Sequence, residues 1–353
     1  MNLLYKMLSK MYCRRAIVSS VCAIYISFSL WVLNSSEVAV APISGQPITL
    51  YANQLEDNLS SIYSSAINNA NKSVLLIVYS LTDNDIIQSL KNARKSGVKV
   101  KVICDAEASP NVSARLGAKI DITPRFGIGL MHQKILVIDS SKIWIGSSNM
   151  TPESLKLHGN LVAAMESDAL ANYLTVKAST IHEVGKTQPV LQQKFDIGGQ
   201  PIELWFLPDN KDAALRLKSL IDTAKKTVHI AMFTWTRQDL AQAVVAAAQR
   251  GVKTEVVIDH YSGKGVSAKI AKYLKDNNID VSLSRGGPLL HHKFMHIDNK
   301  ILVNGSANWT KAAFSQNDDC FMVIHNLTKE QNKKMKNLWK VIKTEAIPVE
   351  NTL

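Results

Sequence analysis

His291-His292-Lys293-Phe294-Met295-His296-Ile297-Asp298, running on to Gly305-Ser306-Ala307-Asn308, is the stretch around which the 353-residue chain is organised. Its polar skeleton is H-x-K, four residues, D, six residues, G-S-x-N. The same skeleton occurs earlier as His132-Gln133-Lys134, Asp139 and Gly146-Ser147-Ser148-Asn149, with every gap of equal length. A lone H-x-K says nothing, because a histidine near a lysine is usually an ordinary surface pair. Four matched elements found twice in register are a specific signal of an internal duplication.

The spacing has a physical reading. Ile135-Leu136-Val137-Ile138 and Lys142-Ile143-Trp144-Ile145 are short β-branched runs separated by the turn-forming Asp139-Ser140-Ser141, which predicts a β-hairpin. Side chains alternate along a strand, so His132 and Lys134 share a face, and the returning strand brings Ser147 and Asn149 back beside them. Leu302-Val303-Asn304 does the same for Ser306 and Asn308 beside His291 and Lys293. Each half therefore offers an imidazole, an ammonium, a hydroxyl and an amide in one patch. That set suits a phosphate, with donors for its oxygens and one nucleophile or acid. Asp139 and Asp298 fall at the far end of their strands and are expected to be structural turn residues. Ser147 and Ser306 are likewise expected to hold the motif together.

The paired arrangement resembles the phospholipase D superfamily, whose signature is a doubled HKD motif. The resemblance spans nearly the whole chain after the N-terminal segment. It implies an α/β fold of two similar α/β/α sandwich lobes related by a pseudo-twofold axis, with one active site at their interface. It also implies phosphodiester cleavage through a phosphohistidine with no metal or other cofactor.

The repeat extends beyond the motifs. Ala70-Asn71-Lys72-Ser73-Val74 matches Ala224-Lys225-Lys226-Thr227-Val228, and Val78-Tyr79-Ser80-Leu81-Thr82 matches Met232-Phe233-Thr234-Trp235-Thr236. Ser96-Gly97-Val98-Lys99 matches Arg250-Gly251-Val252-Lys253, and Asp105 matches Asp259. The lobes are expected over 46–185 and 200–346, joined by a linker at 186–199 that holds Gln, Lys, Pro and a Gly pair. Ala106 to Leu130, rich in Gly and Pro, reads as irregular and as one wall of the cleft. Cys104 and Cys320 lie in apolar runs and read as buried free thiols.

Residues 1–40 are different in kind. Lys6, Lys10, Arg14 and Arg15 precede an uncharged apolar span from Ala16 to Leu33, which reads as a signal peptide or an N-terminal membrane anchor. The basic flank favours placing the body outside the cytoplasm, secreted or anchored. A formal charge of +12 suits an anionic partner such as phospholipid head groups, a membrane surface or nucleic acid.

The family often carries an acidic residue shortly after G-S-x-N. Asp319 supplies it in the second half, whereas the aligned position in the first is Asn160, in Leu157-His158-Gly159-Asn160. The catalytic set expected from the resemblance is His132, Lys134, Asn149, His291, Lys293, Asn308 and Asp319. A carboxylate favours a neighbouring imidazolium and an amide does not. His132 is therefore expected to attack phosphorus, and His291, protonated with help from Asp319, to be the acid; the alternative is that Asp319 fixes the tautomer of a nucleophilic His291. A phospholipid diester is the leading substrate, with nucleic acid cleavage, phosphatidyl transfer of the cardiolipin-synthase type and a non-enzymatic anionic-surface scaffold as alternatives.

Overall fold

A computed structural model describes residues 41–185 and 187–349, and the chain from Ala41 onward forms one compact unit. The signal or anchor segment expected in residues 1–40 lies outside the described residues. Among the described residues, no helix is long and apolar enough to cross a membrane.

The first sheet is built from β1 (Thr49–Ala52), β2 (Ser73–Val78), β3 (Lys99–Asp105), β4 (Asp121–Arg125), β5 (Lys134–Ile138), β6 (Lys142–Gly146) and β7 (Leu161–Glu166). The second uses β8 (Gln193–Ile197), β9 (Gln200–Leu207), β10 (Thr227–Met232), β11 (Lys253–Ile258), β12 (Asp280–Ser284), β13 (Lys293–Ile297), β14 (Ile301–Gly305), β15 (Asp319–Ile324) and β16 (Ala346–Pro348). Their orders are β1-β7-β6-β5-β2-β3-β4 and β16-β12-β11-β10-β13-β14-β15-β9-β8. Read backwards from β9 to β12, the second order repeats the first strand for strand, with β8 and β16 added at the edges. In each lobe three parallel strands adjoin an antiparallel hairpin, β5–β6 or β13–β14, so both motifs occupy the same place in their sheets.

The inner faces of both sheets share one apolar core. Ile135, Val137, Ile143 and Ile145 from the first lobe meet Phe294, Leu302, Met322 and Ile324 from the second, with Leu174 and Leu338 from the helices Asp168–Ser179 and Lys329–Thr344. A separate core in the second lobe packs Val244, Leu274 and Leu217 from outer helices against Met295 and Ile297. Alternation along β13 thus sends Phe294 inward and its neighbours outward, as a half-turn per residue requires.

Two expectations need correction. The stretch 186–199 is only partly a linker, because Gln193–Ile197 is β8 and pairs antiparallel with β9. Ala106 to Leu130 is not irregular throughout. It contains a short helix, Val112–Leu116, and β4, which continues the parallel sheet. The composition of β4, Asp-Ile-Thr-Pro-Arg, conceals a strand that is only partly buried and lies at the sheet edge, where proline is tolerated. Cys104 and Cys320 are buried and free, as expected.

Candidate active site

Each motif begins with a hairpin held by its aspartate. In the first, Asp139 and Ser140 both take positive φ (53° and 56°), as do Asp298 and Asn299 (53° and 56°) in the second. That is the mirror-image turn whose twist suits a tight hairpin. The Asp139 carboxylate accepts from the backbone N–H groups of Asn71, Lys72 and Ser73, at 2.6 Å from Lys72. Asp298 accepts from Lys225, Lys226 and Thr227 at 2.8, 2.7 and 2.8 Å. These donors are the repeated segments ahead of β2 and β10. Burial alone would raise both carboxyl groups, but the backbone donors outweigh it and hold them below the usual range. The D of each motif is therefore a clamp, far from the chemistry.

The strands begin at Lys134 and Lys293, so each histidine lies just ahead of its strand rather than within it. A second clamp fixes the residue before each histidine. The Asp105 carboxylate accepts from Met131 N–H at 3.1 Å, and Asp259 accepts from Leu290 N–H at 3.0 Å. Both lysines turn back to the carbonyl of their own histidine, Lys293 to His291 O at 2.6 Å and Lys134 likewise to His132 O. Tyr79 sits beside His132 (ring centroids 5.2 Å) and under Lys134, and Phe233 sits beside His291 (5.0 Å) and under Lys293. At the hairpin exits Gly146 and Gly305 allow the next strand to approach. A Cβ there would lie 2.3 Å from Leu161 O or 2.4 Å from Cys320 O.

The partners of the two histidines cross between lobes. His132 Nδ1 lies 2.8 Å from Asp319 Oδ1, and His291 Nδ1 lies 3.0 Å from Asn160 Oδ1. This corrects the expectation that Asp319 assists His291. The reason is the docking of the lobes. The segment before each motif pairs with the segment after the other lobe's G-S-x-N: Met131 bridges Asp318, His132 N–H donates to Asp318 O at 2.8 Å, and Gly159 N–H donates to Leu289 O at 2.8 Å. Each partner is braced within its own lobe. Ser306 Oγ donates to Asp319 Oδ1 at 2.6 Å, and Ser147 Oγ donates to Asn160 Oδ1 at 2.8 Å. Asn160 Nδ2 donates to Ser154 O at 2.8 Å, which leaves its Oδ1 as the acceptor facing His291.

All of these groups are buried, and burial dominates their electrostatics. It lowers His132 below the ordinary imidazole range, with Asp319 opposing the shift. It lowers His291 much further, because Lys293 and Lys134 add to it and no carboxylate is in contact. Lys134 is brought down to about 7 by burial, against the pull of Asp319, and Lys293 well below the ammonium range by burial and then by Lys134. Burial would raise Asp319, but His132, Lys134 and the Ser306 hydroxyl hold it low. His291 feels the charge of His132 and Lys134, and His132 that of Lys293, which places both motifs in one field. Asn149 and Asn308 each keep a buried side-chain oxygen without a protein partner, so neither amide is committed elsewhere through that atom.

Comparison with known proteins agrees with this geometry. The family described as "Cardiolipin synthase, PLD-like domain" matches residues 63–181 and 217–339, one copy per lobe. The chain belongs to the phospholipase D superfamily. A mitochondrial cardiolipin hydrolase from Chlamydomonas reinhardtii is 28% identical over 36% of this chain and 58% of its own length. A phospholipase D from Rickettsia conorii is 32% identical over 32% of this chain and 61% of its own. The match thus spans about three fifths of these curated relatives. The crystal structure of phosphatidylserine synthase from Haemophilus influenzae, 12% identical, shares the fold over 88% of this chain and 90% of its own with a TM-score of 0.65.

The structure brings His132, Lys134, His291, Lys293, Asp319 and the two motif serines into one buried cluster, with Asp139 and Asp298 outside it. Sequence reasoning missed Tyr79, Phe233, Asp105 and Asp259 as positioning residues, although each falls in a matched repeat segment. It also missed His158, whose ring centroid lies 6.3 Å from that of His291. No repeat signal marks it, because the position matching His158 in the second lobe is Asn317.

Proposed function

We propose that the protein is a phospholipase D-type phosphodiesterase that hydrolyses phospholipid head groups through a phosphohistidine, without a metal. The observation that carries this reading is the unequal crossed pair, His132 on a carboxylate and His291 on an amide. Asp319 holds the proton on His132 Nδ1 and leaves Nε2 with its lone pair. When Nε2 bonds to phosphorus, Nδ1 keeps its proton and the ring becomes cationic. A buried carboxylate balances that charge where an amide does not.

As the phosphorus–oxygen bond to the head group breaks, His291 Nε2 gives its proton to the departing oxygen. The anionic diester first draws that proton onto His291, and the low proton affinity of the free ring makes it a strong acid. Neutral His291 then takes a proton from water, the water oxygen bonds to phosphorus, and the bond to His132 breaks. Lys134, Lys293, Asn149 and Asn308 donate to the non-bridging oxygens.

The names of the matched cardiolipin hydrolase and phospholipase D support a phospholipid diester, and the charge of +12 suits an anionic surface. A second reading, transfer to an alcohol in place of water, is favoured by the matched family's description. The test incubates the full-length protein with labelled phosphatidylcholine, phosphatidylglycerol, and single- and double-stranded DNA, all in EDTA. Release of choline or glycerol with phosphatidic acid is expected. Diphosphatidyl product would support transfer and cut DNA a nuclease. Activity abolished by EDTA would contradict the metal-free scheme.

A further inference from the structure

The approaches to the two motif histidines differ. Six, four and two residues before His132 stand Phe126, Ile128 and Leu130; the same places before His291 hold Arg285, Gly287 and Leu289. Phe126, Ile128 and Leu130 are 50%, 97% and 40% exposed, against the burial normal for such side chains. The chain bends at 127–129, between the end of β4 and the first motif, and carries Ile128 at the bend with Phe126 and Leu130 flanking it.

That segment is built and not merely loose. Phe126 N–H donates to Glu183 O at 2.7 Å, and Leu130 N–H donates to Asn317 Oδ1 at 3.1 Å. Arg125 holds the base, donating to Phe126 O at 2.8 Å and Gly185 O at 2.6 Å and pairing with Asp318 at 3.4 Å. Gly129 packs so closely that a Cβ would meet the Gln316 carbonyl, so the loop is pressed onto the second lobe. The backbone is tied down on both sides while the apolar side chains face solvent. The corresponding segment ahead of the second motif presents the exposed cation Arg285.

We propose that Phe126, Ile128 and Leu130 form an interfacial wedge that enters the acyl boundary of an anionic phospholipid bilayer, with the exposed Arg285 of the matching segment meeting its head groups. The inference rests on the phospholipid reading above and names the element that brings the site to the surface. Apolar side chains at the rim gain by leaving water, and cations gain from anionic lipid. An exposed apolar run beside a catalytic mouth in a strongly cationic chain fits that pair of forces better than a protein partner, since no complementary groove is needed.

The test uses the full chain carrying Cys13→Ser and Cys22→Ser, with an environment-sensitive dye on Ile128→Cys and, as control, on the exposed Lys95→Cys. Vesicles of phosphatidylcholine and phosphatidylglycerol are expected to shift the emission at position 128 to the blue and leave position 95 unchanged. The triple variant Phe126→Ser, Ile128→Ser, Leu130→Ser is expected to lose at least about tenfold in turnover of vesicle substrate, while cleavage of a small soluble phosphodiester reports intact motifs. An unshifted dye at position 128 with vesicle-bound protein, or protein that does not bind vesicles, would overturn the wedge. A shift with single-stranded DNA and none with vesicles would overturn it in favour of nucleobase contact. A shifted dye with no phospholipid cleavage leaves the wedge standing and removes the phospholipase reading; cleavage without a shift does the reverse.

Discussion

The two lobes are copies in architecture and differ in the partner each gives to a motif histidine. Hairpin, turn, aspartate clamp, aromatic neighbour and serine brace recur at matching positions, from Asp139 and Asp298 to Tyr79 and Phe233. The departures are Asp319 against Asn160 beside the histidines, and Phe126-Gly127-Ile128 against Arg285-Gly286-Gly287 in the segments ahead of the motifs. Duplication supplies two matching motifs, and under the proposed mechanism divergence at a handful of positions gives them different jobs. Because the partners cross, the group that tunes each histidine belongs to the other copy, so neither lobe is complete alone.

That comparison can be broken by making the lobes alike. Replacing either motif histidine with Asn is expected to lower kcat by about a thousandfold or more, since each is required once per cycle. Asp319→Asn gives both histidines an amide and is expected to cost about a hundredfold, by freeing the wrong tautomer and leaving the phosphohistidine charge unbalanced. Asn160→Asp is the informative reverse. A carboxylate there raises the proton affinity of His291, so the alkaline limb of kcat/KM is expected to move to higher pH with a smaller loss of rate. Identical losses in the two variants would contradict unequal roles.

The pH profile of the native enzyme sharpens the point. Burial lowers Lys134 to about 7, so its charge is present below that pH and lost above it. His132 is held below its ordinary value and stays neutral down to that lowered pKa. The profile of kcat/KM is therefore expected to decline already below neutrality as free His291 loses its proton, and to fall further above about pH 7 as Lys134 loses its charge. Lys134→Met is expected to remove the alkaline limb contributed by that group, along with much of the rate.

The smallest effects should be on stability and should be equal in the two lobes. Asp139→Asn and Asp298→Asn each weaken a carboxylate clamp on backbone N–H groups, at about 1–3 kcal/mol by denaturant titration. Both carboxyl groups are held below their unfolded value. Their contribution is thus present above the unfolded pKa and fades as pH falls through the lower folded one. A large difference between the two variants would show that the clamps are not equivalent.

Much of this was legible in the sequence, for reasons that differ by residue. The hairpins and the placing of Asp139 and Asp298 in their turns follow from local rules, since turn chemistry and strand alternation act within a few residues. The doubled spacing made the second sheet predictable from the first. The partner of His132 was not legible, because Asp319 is 187 residues away and reaches it only through the docking of two sheets. Strand β4 was hidden by its Pro and Asp, and β8 by its polar composition. His158 carried no signal, because its place is occupied by Asn317 in the other copy.

The most direct test is to trap the covalent intermediate. In His291→Asn, which cannot protonate the head group or activate water, a phosphodiester with a good leaving group that needs no acid should load the enzyme and stall. Peptide mapping is expected to find phosphate on His132, and the Asp319→Asn background should reduce its yield. Phosphate on His291 in the His132→Asn protein, with none on His132 in its counterpart, would reverse the roles and contradict the account.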